Sequence, residues 1–277
     1  VTPSNQGGGV HISEGGVVTR CLIHNNGSRI GGGAYIENGM LGNSLILGNR
    51  SHYDPEHPPG YFDVPSDGGA IYIQGRGSLE NCTVLGNLSS HTTGGVFWKS
   101  SFDPVDETVI RNNILYSNSG FNLPIAAYVV TLEHNCIQDG TKLKDGNINS
   151  DPLVAEDYRL SKSSPCRDTG TNQEWMIANG DYAGIKRVVN GDVDMGALEF
   201  VAPLVITEIQ HADEQVTLSW TSSPGGAYQL EETDDLSANS WKKIGDAVTA
   251  TGTVSSQTEA VIPRLRSFYR YRHVLFE

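Results

Sequence analysis

Two polar stretches hold the residues best suited to chemistry. Arg50 to Asp67 carries His52, Tyr53, Asp54, Glu56, His57, Tyr61, Phe62 and Asp63, and Lys99 to Glu107 carries Lys99, Phe102, Asp103, Asp106 and Glu107. A glycoside hydrolase needs two carboxylates flanking the bond it cuts. A polysaccharide lyase needs a Lys or His base beside a group that neutralises charge. On those grounds His52, His57, Lys99, Asp103 and Asp106 are the catalytic candidates. The two histidines with Asp54 and Glu56 between them are a weak metal pattern. Pro55, Pro58 and Pro59 keep that stretch out of a helix, and an exposed polar loop explains it more simply.

Further aspartates gather late in the chain: Asp168, Asp181, Asp192 and Asp194, with Arg187 among them. A Ca2+ site draws on several hard oxygen ligands of this kind, but the spacing is not that of an EF-hand loop. Asx turns and Asp–Arg pairing account for the cluster without a metal.

These residues hang on a repeat. Gly7-Gly8-Gly9-Val10-His11-Ile12, Gly31-Gly32-Gly33-Ala34-Tyr35-Ile36, Gly68-Gly69-Ala70-Ile71-Tyr72-Ile73 and Thr93-Gly94-Gly95-Val96-Phe97-Trp98 share one order of turn and short strand. A second apolar stretch follows each and closes on Asn26, Asn49, Asn87 or Asn118. Small turn residues, strand, turn, strand and Asn, repeated with insertions, predict an all-β chain led by a parallel β-helix solenoid of about five rungs. Val10, Ala34, Ile71 and Val96 form one inward column, and Ile12, Ile36, Ile73 and Trp98 a second. Val18, Leu41, Leu79, Ile110 and Leu132 form a third, followed by Cys21, Ser44, Cys82 and Asn113. The closing asparagines predict a side-chain ladder. That ladder also explains Asn26, Asn81 and Asn87 without the glycosylation that their N-x-Ser/Thr context permits.

Between the inward columns of the first strand lie His11, Tyr35, Tyr72, Phe97 and, by a looser match, Tyr128. At a strand spacing of ~4.8 Å these rings stack as an exposed aromatic strip. With Tyr53 and Tyr61 overhanging it, the strip suits a polysaccharide or cell-surface glycan. The competing expectation is that Tyr61 and Phe62 merely cover it.

The Gly-Gly-Ala-Ile-Tyr-Ile and Asn-Cys-Thr-Val-Leu-Gly-Asn pieces resemble right-handed parallel β-helix proteins of the pectin-lyase-like and polymorphic-outer-membrane-protein types. Asn147-Ile148-Asn149-Ser150-Asp151-Pro152-Leu153, Asp157-Tyr158-Arg159-Leu160, Ser164-Pro165-Cys166-Arg167-Asp168-Thr169-Gly170 and Val193-Asp194-Met195-Gly196-Ala197-Leu198-Glu199 are similar to the end of bacterial choice-of-anchor Q proteins. Arg167 and Leu198 depart from that pattern. The resemblance covers roughly residues 1–200 and implies an extracellular or cell-surface location; the solenoid domain is expected over 1–202, with 140–200 closing it. Past Pro203, alternating strands and turn clusters over 203–277 predict a small β-sandwich. It resembles fibronectin-III-like modules; Trp220 and Trp241 are indoles of a kind that binds sugar, but they are expected as core residues.

Composition narrows the partners. Among 277 residues the formal charge is −13, which repels phosphate backbones and argues against nucleic acid. No apolar run is long enough to span a membrane. Cys21 and Cys82 sit two rungs apart, roughly 9–10 Å at strand spacing, too far for a disulfide. The chain starts at Val1, next to a repeat, and reads as a processed protein or an excised segment. Val1 to Gln6 cannot cover a rung, so the N-terminal edge is an expected site of homo-oligomer or filament contact. Together these features favour a non-enzymatic structural or adhesive protein that binds glycan and needs no cofactor. The alternative is a polysaccharide lyase or glycoside hydrolase working over the first sheet, since inert and catalytic forms of such a fold share one core.

Overall fold

The computed structural model describes residues 6–52, 67–99, 108–124, 130–140, 143–177, 179–188, 191–222, 226–236, 240–260 and 268–273. Tyr53, His57, Tyr61, Asp103, Asp106 and Tyr128 therefore lie outside the described residues. The chain divides into two units. The first comprises Val1–Glu174, Asp181–Ala183 and Asp192–Phe200, and the second Trp175–Gly180, Gly184–Gly191 and Val201–Glu277.

The first unit is all-β and built of stacked parallel sheets. The first sheet joins β1 (Val10–Ser13), β5 (Ala34–Glu37), β9 (Ile71–Gln74) and β13 (Val96–Lys99). The second joins β2 (Val17–Thr19), β6 (Met40–Gly42), β10 (Ser78–Glu80), β14 (Thr108–Arg111) and β16 (Val130–Glu133). The third joins β3 (Leu22–His24), β7 (Leu45–Leu47), β11 (Thr83–Leu85), β15 (Ile114–Tyr116) and β17 (Cys136–Ile137). A short fourth joins β4 (Gly27–Ser28), β8 (Arg50–Ser51) and β12 (Leu88–Ser89). The chain visits the sheets in turn: among the described residues the first three passes add a strand to each sheet, the fourth adds one to the first three sheets, and the last adds one to the second and third.

Register follows the repeat. Val10 pairs with Ala34, Ala34 with Ile71 and Ile71 with Val96. Val18, Leu41, Leu79, Ile110 and Leu132 likewise form one paired column. Inward residues of three sheets meet in one core: Ile36 and Ile73, Leu41 and Leu79, Ile46, Val84 and Leu115, all fully buried. Each such side chain contributes roughly 1.5–3 kcal/mol of burial.

The corners are made by single left-handed residues. Between the second and third sheets these are Arg20, Asn43, Asn81, Asn112 and His134, and after the third sheet Asn25, Gly48, Gly86 and Ser117. Asparagine and glycine tolerate this region best. After the third sheet, the residue that follows the corner carries an asparagine ladder. There the Asn49 Oδ1 accepts from the Asn26 backbone N–H at 3.0 Å and from its Nδ2 at 3.1 Å. Asn87 serves Asn49 in the same way, as Asn118 serves Asn87 and Asn122 serves Asn118. A second ladder follows the other corner, with Asn113, Asn135 and Asn147 each accepting from the preceding rung.

Residues 140–200 do more than close an end. Ile148 pairs with Cys136 as a last partial strand. Beyond it the segment folds back over the outer face of the third sheet. There Ala197 N–H donates to the Thr83 hydroxyl at 2.9 Å, and Ala197 and Leu198 pack on Leu45. The outward residues of that sheet are thereby partly covered by chain from over a hundred residues away.

The second unit contains two three-stranded antiparallel sheets. One is β18 (Ile206–Ala212), β19 (Gln215–Thr221) and β22 (Val254–Ala260); the other is β21 (Lys242–Thr249), β20 (Ala227–Thr233) and β23 (Phe268–His273). Trp220 is fully buried and stacks on Tyr271 with ring centroids 3.7 Å apart. Trp241 is half-buried, its ring covered by the Arg270 guanidinium at 4.1 Å, which also pairs with Glu231 at 2.7 Å. Neither indole is an open sugar platform.

Candidate functional site

The aromatic column aligns as its register requires, but it is not an exposed strip. Tyr35 and Tyr72 stack with centroids 5.5 Å apart and planes 8° from parallel, and Phe97 continues the stack at 5.2 Å. His11 meets Tyr35 edge-on at 4.8 Å and is exposed. Tyr35 and Tyr72 are each only 2 % exposed and cluster with Ile30. The Tyr35 hydroxyl donates to Gln74 Oε1 at 2.8 Å. Burial pushes both phenols up to about 12, helped by Glu37 at Tyr35 and by Tyr35 and Asp67 at Tyr72. The physical reason for the correction is simple. Alternation tells which side of a strand a residue takes, not what lies over that side.

Of the catalytic candidates within the described residues, His52 and Lys99 are both exposed. His52 continues β8, its N–H on Ser28 O at 3.0 Å, whereas Lys99 ends β13. The late aspartates do not converge as one metal centre. Asp194 accepts the Asp168 N–H at 2.7 Å and the Phe200 N–H, and Asp181 accepts the Glu199 N–H at 2.9 Å. Asp192 bonds Asn172 at the surface, and Asp168 pairs with Arg167 at 3.3 Å. No group of three or more His, Cys, Asp or Glu side chains suited to a metal ion occurs among the described residues.

A concavity among the described residues lies elsewhere, over the third sheet. A groove of about 1040 Å³ is floored by Leu47, Leu85 and Tyr116, the outward residues of β7, β11 and β15. One lip is the left-handed corner Asn25, Gly48, Gly86 and Ser117, backed by the first asparagine ladder. The opposite wall is the segment Asp151–Arg159 with Tyr182. That wall is a tight hairpin. Val154 and Leu160 bridge antiparallel, Ala155 N–H bonds Arg159 O at 2.8 Å, and Tyr158 N–H bonds Ala155 O at 2.9 Å.

Tyr158 sits at its tip, 37 % exposed, with a φ of 66°, a conformation that strains a bulky side chain. Beside it Asp157 accepts the Arg159 N–H and pairs with the Arg159 Nε at 3.7 Å. The Arg159 Nη1 is buried and makes no hydrogen bond among the described residues. Burial and then the Asp151 carboxylate push the Tyr116 phenol up from its ordinary value. The groove thus offers three tyrosines, a guanidinium donor and the acceptors Asp151, Glu156 and Asp157.

Sequence reasoning named none of these as site residues. The motifs around Asp151 and Tyr158 were visible, but not that this segment returns to face β11. No known protein-family model matches the chain, and no curated protein matches it. The likeness of residues 147–199 to a family therefore rests on their motifs alone. No helix among the described residues is long and apolar enough to cross a membrane.

Proposed function

We propose that the first unit is a right-handed parallel β-helix serving as a stiff adhesive scaffold, secreted or at the cell surface. It holds a neutral glycan in the groove over its third sheet. The second unit acts as a fibronectin-III-like joining module. The groove carries this reading. Tyrosines suit the C–H faces of sugar rings, while Asp151, Glu156, Asp157 and Arg159 match hydroxyls. Three acids against one arginine disfavour a uronate chain.

The glycan site expected along the first sheet moves accordingly, because Tyr35 and Tyr72 are buried there. The lyase or hydrolase alternative draws no support from the described members of its residue set: His52, just past β8, and Lys99, at the end of β13, are both exposed. Calorimetric titration with cello- and xylo-oligosaccharides tests the proposal. Binding is expected, with at least a tenfold loss in Tyr158→Ala, about 1.4 kcal/mol. Absence of binding to either series, or an unchanged affinity in Tyr158→Ala, overturns it.

A further inference from the structure

The core of the second unit stops short of one side. From β19, Val216, Leu218 and Trp220 point inward and meet Tyr228, Leu230 and Tyr271 of the facing sheet. Residues directly opposite across two paired strands share a face. Ile206, Ile209 and His211 of β18 therefore take the core side, opposite Trp220, Leu218 and Val216. Ile206 packs on that core. Ile209 is 62 % exposed although its partner Leu218 is fully buried, and His211 is exposed as well. Leu204 and Val205, just before β18, are exposed too.

The same side carries two free strand edges. The strand orders leave β18 and β22 at the ends of one sheet, and β21 and β23 at the ends of the other. The β21 and β22 ends lie together. Gln257 Nε2 of β22 reaches Asp246 O of β21 at 3.5 Å, and a Cβ on Gly245 would strike the side chains of Glu259 and Gln257. So β18 and β23 end the two sheets on the opposite side, and neither has a second strand along it among the described residues. Such edges present unpaired N–H and C=O groups. Their charges differ. β18 and the turn after it hold Glu208, Asp213 and Glu214 against His211, whereas β23 holds Arg270, Arg272 and His273 and no acid. Pairing either edge with its own kind opposes like charges; pairing β18 with β23 opposes unlike ones.

We infer that this side of the second unit docks a second copy of the chain, β18 of each copy laid along β23 of the other. One two-fold axis makes both pairings at once, because both edges lie on the same side. Each sheet then continues into a sheet of the other copy, and Ile209 of both copies leaves water at the seam. The contact closes on itself, so it yields a pair and not a fibre. It does not depend on what the groove of the first unit holds.

The test is sedimentation of the full chain across micromolar concentrations, with hydrogen exchange measured at both ends of the range. A reversible dimer of the 29.9 kDa chain is expected, its β18 and β23 amides gaining protection on association while those of β21 and β22 do not change. Ile209→Lys should raise the dimer dissociation constant about a hundredfold, since the substitution enters the seam twice. Val254→Lys is the control, because Val254 is as exposed, at 61 %, but stands on β22 at the other end of its sheet. A monomer throughout overturns the inference, as does a mass that grows without limit. So does a dimer that the two substitutions weaken equally, or one whose new protection falls outside β18 and β23. If Ile209→Lys does not fold, the exchange map of the unaltered chain decides alone.

Discussion

Truncating Asn87 isolates what the ladder contributes. Its Oδ1 accepts the Asn49 N–H at 2.8 Å and the Asn49 Nδ2 at 3.0 Å. Its Nδ2 faces Ile46 O and Leu85 O at 3.0 Å and Asn118 Oδ1 at 2.8 Å. In Asn87→Ala the Asn49 Nδ2 keeps its bond to Ile23 O at 2.9 Å, and Asn118 Oδ1 keeps the backbone N–H of residue 87. The Asn49 N–H does not recover, because Asn49 is fully buried and the acceptor is gone. An orphaned buried donor costs about 1–3 kcal/mol, and the lost bond to Ile46 O adds about 1 kcal/mol. With the small cavity left behind, the expected loss is roughly 3–5 kcal/mol.

Asn26→Ala is the control. Asn26 heads the ladder, is half-buried, and its side chain only donates to Asn49 Oδ1, which retains the Asn26 N–H. Its loss should cost about 0.5–1 kcal/mol. Asn87→Asp keeps the shape but sets an oxygen against Ile46 O, Leu85 O and Asn118 Oδ1. The folded state then favours the protonated acid, so the variant should lose stability as pH rises through and above the ordinary carboxylate range. Hydrogen exchange at the Asn49 amide reads the local effect, and urea titration reads the whole. Equal costs in Asn87→Ala and Asn26→Ala, or undiminished protection at Asn49, would sink the argument.

Three further outcomes follow from burial and close packing. Phenolate absorbance should show Tyr35 and Tyr72 ionising near 12. Because the folded state holds these protons more tightly than free tyrosine near 10, stability should be intact below 10 and fall between 10 and 12. Tyrosines that all titrate near 10 in the folded chain contradict this. A Cβ on Gly32 would strike Arg50 and Gly69 backbone, so Gly32→Ala should cost about 3 kcal/mol or more. Gly86→Ala meets open space and should cost only the ~1–2 kcal/mol of its left-handed backbone; the reverse order in urea would refute the packing account. Glu80 is pushed up by burial against the opposing pull of Arg111, so its folded carboxyl holds its proton above 4.5. Stability should therefore drop as pH rises from there, and Glu80→Gln should flatten the drop; a parallel pH profile rules this out.

The sequence made legible whatever repeats in place. Strand registers of the first two sheets were readable because a glycine run marks the same turn in each rung, and a Cβ there strikes the backbone of the next. The Asn26-to-Asn118 ladder was readable for the same reason. Its companion was hidden, although Asn113, Asn135 and Asn147 do the same work. Its earlier rungs carry Cys21, Ser44 and Cys82, where the Ser44 hydroxyl bonds the Cys21 N–H that an amide oxygen would meet elsewhere. Strand β22 is the least legible of its unit, because Val-Ser-Ser-Gln-Thr-Glu-Ala has hardly an apolar face to show.

What lies over the third sheet was not legible. Tyr35 and Leu47 both take the outward side of a strand by alternation. One lies in a buried stack and the other floors a groove. Over the third sheet the cover is chain from elsewhere, such as Ala197 reaching back to Thr83 across 114 residues. A period records contacts between neighbouring rungs, since each rung meets the next in the same way. A segment that crosses several rungs meets each of them once, so it leaves no period. The groove is built at such a crossing, its floor repeated and its wall made once. Half of its lining therefore belongs to the legible part of the chain, and the half that includes Tyr158 does not.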